Sequence, residues 1–423
     1  MKEAFLHYVW RFKKMQLTDL FTEQNQALSI IHFGSYPEKA GPGFFNARLL
    51  IGNQLWAGNV EMHVNASDWY LHQHQNDSAY DTVILHVVWN DDLPVFRKDN
   101  TQIPTLLLSK YVAVDVYNNF LGLMKPKSWI PCENQLKYTD SFIIKHWKER
   151  LFVERLEEKQ IPISKLLHEN QNDWEATLFA LLLKNFGLNV NGSIFQEIAR
   201  RLPFQVVRKE RTDLLQLEAL LFGTANLLSY DFQEAYPLEL KKRFEYLKIK
   251  YQLGNNIEES PHFFKLRPPN FPTIRLAQFA ALYHLRENLF SDLIAQPKTA
   301  KNLIDYFQTV VPSSYWDNHF IFEKKTKISN KKLTTSFIEL LYINTIIPFQ
   351  FAYLQHKGIE NFEELYLQLQ QIPSEKNAII DRFGQWGLMS HSAADSQALL
   401  FLKQRYCDAF QCLNCAVGHS LLS

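Results

Sequence analysis

The chain's 45 basic and 44 acidic residues leave a formal net charge of +1, which excludes a strongly basic nucleic-acid binder of the histone kind but not a local basic groove. Its 423 residues exceed the size at which one core keeps growing, so two or more domains are expected. Only 14 glycines occur, and none falls in a G-x-G-x-x-G or G-x-x-x-x-G-K-[ST] pattern, which argues against dinucleotide and P-loop folds.

The N-terminal stretch MKEAFLHYVWRFKKM places Phe5, Tyr8, Val9 and Phe12 at helical spacing. It lacks the uninterrupted apolar run and cleavage site of a signal peptide, so a cytoplasmic location is expected. Residues 28–33 (LSIIHF) read as a short strand, and 34–43 as a turn. Phe44–Ile51 and residues 55–64 read as two strands joined by Gly52-Asn53, a pair that tolerates the positive φ of a tight hairpin. Residues 65–81 are polar, with Ser67-Asp68 placed to cap a short helix. Residues 83–89 (VILHVVW) are apolar apart from His86, the pattern of a strand covered on both faces. Residues 103–108 add a strand, and 111–116 fit either a strand or the opening of a helix.

Beyond Lys137 the texture becomes helical, with patterns over 141–159, 173–186, 194–201, 214–228, 238–251 and 276–289. The expected fold is therefore an α+β N-terminal domain, a small mixed sheet with flanking helices, over residues 1–136. A mainly α-helical region follows over 137–423, ending in a Cys-containing segment. No apolar run is long enough to cross a bilayer, so no membrane partner is expected.

Chemistry-bearing side chains concentrate in residues 41–89, which hold Glu61, His63, Asp68, His72, His74, Asp77, Asp81 and His86. Taken singly, most have a plain structural use. A histidine such as His86 in an apolar strand is ordinarily a core residue bonded to a neighbour, His72-x-His74 in a polar stretch reads as solvated surface, and Asp68 serves as a helix cap. A second constellation is Cys407-x4-Cys412-x2-Cys415 with Cys132, the four cysteines of the chain. They are expected to stay reduced in the cytoplasm. Their spacing fits zinc, with His419 as a rival fourth ligand, or an iron–sulfur cluster, and equally four thiols packed in cores.

Basic runs Arg200-Arg201 with Arg208, Lys209 and Arg211, Lys241-Lys242-Arg243, and Lys324, Lys325, Lys327, Lys331 and Lys332 are candidates for phosphate contact or plain solvated faces. In Arg267-Pro-Pro-Asn270 with Arg275, two arginines offer paired donors to a carboxylate or phosphate ligand, or else bond carbonyls in a rigid turn.

The runs Ala40-Gly-Pro-Gly-Phe-Phe-Asn-Ala-Arg48, Gly58-Asn-Val-Glu-Met-His63 with Ser67-Asp-Trp69, Arg267-Pro-Pro-Asn-Phe-Pro-Thr-Ile-Arg-Leu-Ala-Gln278, and Ser396-Gln-Ala-Leu-Leu400 with the C-terminal cysteines resemble a bacterial family catalogued as domain of unknown function 2851. The resemblance covers essentially the whole chain and implies no mechanism. In that pattern Asp follows Gly-Pro; here the position is Gly43.

The order of elements also resembles the P-D…(D/E)-x-K nucleases, whose restriction-endonuclease-like core runs helix, three strands, helix, strand. Pro42-Gly43 stands at the first motif and Glu61-Met62-His63 at the second, with His in place of the motif lysine and no carboxylate at Gly43. The resemblance implies a divalent ion, Mg or Mn, held by Glu61 and His63 on one strand face and by His86 on the next strand, with Asp68 or Asp81 replacing the missing acid. Such an ion lowers the pKa of its water for attack on a phosphodiester. Two readings follow: a metal-dependent nuclease acting on nucleic acid through Glu61, His63, His86 and Asp68, and a non-catalytic nucleic-acid- or protein-binding scaffold with a nuclease-like core. The oligomeric state is left open.

Overall fold

The computed structural model describes residues 2–36, 41–124, 128–294, 300–360 and 362–422. The turn expected over 34–43 falls partly outside these residues. The chain forms two compact units, the first made of Met1–Trp147, Arg382–Leu388 and Phe401–Ser423, the second of Lys148–Asp381 and Met389–Leu400.

In the first unit, α1 (Glu3–Arg11) buries Phe5, Leu6, Tyr8, Val9 and Trp10, with Glu3 in its first turn, and stops where Lys13 takes a positive φ. A six-stranded sheet follows in simple order: β1 (Leu20–Phe21), β2 (Ala27–His32), β3 (Phe44–Ile51), β4 (Gln54–Asn65), β5 (Val83–Asn90) and β6 (Thr105–Leu107). β1 to β4 are antiparallel, with Gly52 at φ +60° closing the β3–β4 hairpin, whereas β5 and β6 join in parallel. The sheet is mixed, as the sequence implies.

Between β4 and β5 the crossover carries the short helix α2 (Asp68–Leu71) and two single helical turns. β3 alternates inward Phe44, Ala47, Leu49 and Ile51 with exposed neighbours, while Val83 to Val88 are all buried. Gly58 permits the parallel join, since a Cβ there would sit 2.5 Å from the Thr82 carbonyl oxygen and from Ile84. The ambiguous stretch near residue 111 resolves as α3 (Val114–Leu123), whose Phe120 stacks on Phe5 at 4.4 Å.

The expected boundary at 136/137 shifts. α4 (Ser141–Glu169) is one 29-residue helix, and the division between the units falls within it, between Trp147 and Lys148. The C-terminal segment, expected with the helical region, clusters instead with the first unit, where His419 packs edge-on against Phe12 at 4.5 Å.

In the second unit, α5 (Trp174–Phe186), α6 (Leu188–Arg201), α7 (Phe204–Glu210), α8 (Leu214–Thr224), α9 (Ala235–Lys250) and α10 (Pro272–Leu285) share a core rich in Phe179, Phe186, Phe222 and Phe279. Asp173 and Asp213 cap α5 and α8 by accepting backbone N–H groups. The unit is not purely helical, because β7 (His319–Ile321) and β8 (Lys324–Lys325) form a small ladder. The sequence also hides one long apolar helix: Thr335–His356 joins α and π turns into 22 residues that hold an 18-residue window of mean hydropathy 1.3, long and apolar enough to cross a membrane by length and composition. Of that window 72% is buried by the chain itself, the packing of an interior helix.

Glu218 on α8 is fully buried, accepting a bond from Ser313 Oγ at 2.9 Å, and Ser313 in turn bonds Tyr236 Oη at 3.0 Å. Burial pushes its carboxyl up to about 7 from the ordinary 4.5. A folded-state pKa above the unfolded one means that its contribution to stability is full below pH 4.5 and lost as pH rises through 7. Glu218→Gln is therefore expected to gain stability relative to wild type between pH 5 and pH 8, by up to roughly 3 kcal/mol, read by thermal unfolding at both values. An equal difference at the two values would show that the residue does not titrate in this range.

Candidate metal centre

β4 runs with Glu61 and His63 on one face, two residues apart, and the parallel register sets Glu61 directly beside His86 on β5. The three side chains meet. His63 Nδ1 lies 2.8 Å from His86 Nε2, and His63 Nε2 lies 3.6 Å from Glu61 Oε1. The other Glu61 oxygen accepts the Gly43 N–H at 2.7 Å, so Gly43, without a side chain, still grips the acid through its backbone.

Two residues set aside as surface complete the cluster. His72 ends α2, Gln73 takes a left-handed φ of +60°, and His74 opens the next helical turn, so both imidazoles fold back over β4. His63, His72 and His74 each offer a ligand atom, all within 4.8 Å of one another. His72 Nδ1 is 3.3 Å from His63 Nε2. That equals the edge of a tetrahedron of nitrogens about 2.0 Å from a metal, which is also about 3.3 Å. The trio runs from the buried His63 through the half-buried His74 to the exposed His72, giving the deep end a path to water.

Aromatic packing fixes the rings. Tyr80 stacks on His74 at 3.7 Å, and the buried Trp69 stands edge-on to both His74 and His86. His86 is fully buried behind His63 with no outlet to solvent. It can orient His63 but cannot reach a ligand. With His63 Nε2 aimed at the cluster, its Nδ1–H donates to His86 Nε2, the arrangement by which an outer group fixes the tautomer of a metal-binding imidazole.

Burial, and then the neighbouring imidazoles, pull His63 down to about 2; burial with His74 pulls His86 down to about 3, and burial also lowers His74. The rings are therefore neutral, the form that ligates metal. Burial raises Glu61 to about 7, opposed by the Gly43 and Met62 N–H groups and reinforced by Glu3.

The other expected site residues fall elsewhere. Asp68 accepts the Asn65 N–H at 3.0 Å and shapes the exit of β4, a structural task that leaves its carboxylate outside the imidazole trio. Arg267 and Arg275 do not form a pair of donors. Arg267 is exposed, while Arg275 is buried over the Phe337 ring and bonds the side-chain oxygens of Asn270 and Gln278. The basic runs are largely matched by acids, Arg200 and Arg201 by Glu197 and Arg243 by Asp213 and Glu239. Lys331 is buried on Ser329 and Phe320, leaving Lys324, Lys325, Lys327 and Lys332 exposed.

The four cysteines are buried and form no disulfide. Burial first, then the other thiols, pushes Cys132 and Cys412 up to about 12 and Cys407 well above the usual range.

The sequence profile of the family described as Protein of unknown function (DUF2851) matches residues 3–378. The chain belongs to that family. No curated protein and no solved structure matches it. The family match spans the β4–β5 centre and Cys132, and stops short of the three C-terminal cysteines.

A metal titration tests the centre. Zn²⁺ or Mn²⁺ binding followed by calorimetry is expected to be lost in His72→Ala and weakened roughly 10- to 100-fold in His86→Ala, which removes only the orienting partner. Unchanged binding in both variants would place the ion elsewhere.

Proposed function

We propose that the first unit is a metal-dependent phosphodiesterase acting on nucleic acid, with His63, His72 and His74 as metal ligands and Glu61 as proton acceptor. The observation that carries this reading is the convergence of three imidazoles and one carboxyl of raised pKa on a spot that His72 and His74 open to water. Supporting it, the unit runs helix, antiparallel strands, short helix, parallel strand, and its acid-x-His pair lies on the strand that pairs with the parallel one. That order resembles the restriction-endonuclease-like core. Nitrogen-rich donors favour Mn²⁺, Zn²⁺ or Fe²⁺ over Mg²⁺, which prefers oxygen.

An ion held there by His63, His72 and His74 would supply a water acidic enough to act as nucleophile near neutrality. Glu61, half ionised near pH 7, takes up the proton, and the Gly43 N–H holds its far oxygen in place. A cleft of about 170 Å³ along α1, lined by Lys2, His7, Arg11, Tyr36 and Phe410, combines cations and aromatic rings in the manner of a groove for a single strand.

A second reading, a binding scaffold without chemistry, is favoured by one feature: Gly43 brings no carboxylate to the centre. A Cβ at that position would sit 3.3 Å from His7 Nε2, a buried nitrogen without a hydrogen-bond partner.

Cleavage of single- and double-stranded DNA and RNA with Mn²⁺, Zn²⁺ or Mg²⁺ decides between them. Wild type is expected to cleave with Mn²⁺, and Glu61→Ala to lose at least about 100-fold, the scale of a lost general base. Equal rates in the two proteins, or none in a metal-loaded wild type, defeat the catalytic reading. Gly43→Asp is expected to raise cleavage, its carboxylate joining the ligand set; if it leaves a silent protein silent, the scaffold reading stands.

A further inference from the structure

The four cysteines lie outside the centre above and are not placed as core-filling residues usually are. Cys407 ends the π turn Leu402–Cys407, Phe410 after it is held at φ +53°, Cys412 opens the 3-10 turn Cys412–Asn414, and Cys415 precedes the last helix, Ala416–Leu421. A π turn and a left-handed phenylalanine within a few residues are costly backbone choices that cluster at functional sites. The last helix closes tightly on this loop, since a Cβ at Gly418 would overlap the Cys412 carbonyl. Cys132 sits on a turn too, its carbonyl accepting the Gln135 and Leu136 N–H groups.

All four thiols are nevertheless turned inward, between 6% and 9% exposed. They also share one neighbourhood. Cys407 lies within electrostatic reach of the other three, and Cys132 of Cys412 and Cys415. The gathering is loose, because among the described residues the only trio with ligand atoms within 4.8 Å of one another is the histidine one. A single zinc ion needs sulfurs about 3.8 Å apart, from its Zn–S bonds of about 2.3 Å. A polynuclear cluster holds its cysteines farther apart, on different irons. Lys403, which pairs with Asp408, acts on Cys407, and with Arg382 it lies over the Trp129 ring.

We infer that Cys132, Cys407, Cys412 and Cys415 ligate an iron–sulfur cluster that ties the C-terminal segment into the first unit. Ferrous and ferric ions and inorganic sulfide enter, and each thiol gives up its proton as its Fe–S bond forms, so assembly needs no oxidant. His419, packed on Tyr8 and Phe12, is not needed as a ligand.

The full chain, purified without oxygen and reconstituted with Fe²⁺, Fe³⁺ and sulfide, is analysed for iron, zinc and acid-labile sulfide and by its visible spectrum. Expected are matching iron and sulfide contents of at least two each per chain, a broad absorption near 400 nm, and loss of both elements in Cys132→Ser and Cys412→Ser. His63→Ala is expected to retain them, which separates this site from the histidine centre. Since a serine variant can fail by unfolding, circular dichroism is recorded alongside, and wild type stripped of iron by chelation should melt earlier and recover on reconstitution. One zinc per chain without sulfide, no metal at all, or iron retained in folded Cys132→Ser and Cys412→Ser proteins would each overturn the assignment.

Discussion

Parallel pairing of β4 with β5 is the constraint from which the candidate centre follows. Its register sets Glu61 beside His86 and leaves His63 one pleat farther along the same face, so an acid and two imidazoles share a surface before any loop is considered. A parallel join cannot be made by a tight hairpin and requires a crossover. That crossover supplies Trp69, His72, His74 and Tyr80, so the connection that the topology demands also furnishes the outer imidazoles.

Burial then divides the labour among chemically identical rings. His86, deepest and fully enclosed, can only steer; His63 is the pivot that touches everything; His72 and His74 face outward. Desolvation keeps the inner rings neutral, while the same effect on Glu61 favours its protonated form until near neutrality. Opposite consequences for acid and base thus come from one low-dielectric pocket.

The sheet was legible because its signals are local: Gly52 at the hairpin, alternation in β3 and an unbroken apolar run in β5. Helices of the second unit were legible from period and from caps such as Asp173. The unit boundary was not, since it falls inside one continuous helix where composition does not change. His72 and His74 were passed over because their convergence depends on a left-handed Gln73, a conformation that glutamine does not advertise. An HxH pair following a buried tryptophan was the only available hint. Arg275 misled for the opposite reason: the sequence shows its charge and not the Phe337 ring and amide oxygens that occupy it.

The first unit is assembled from pieces at both ends of the chain, with the helical unit made in between. On the ribosome, the strands bearing Glu61 and His86 emerge long before residues 401–423, so that unit must wait, incomplete, while its neighbour is synthesised and folds. Its closure therefore follows synthesis of the helical unit, and until then the apolar positions of α1 that receive the helix Ala416–Leu421 are open to chaperones and proteases.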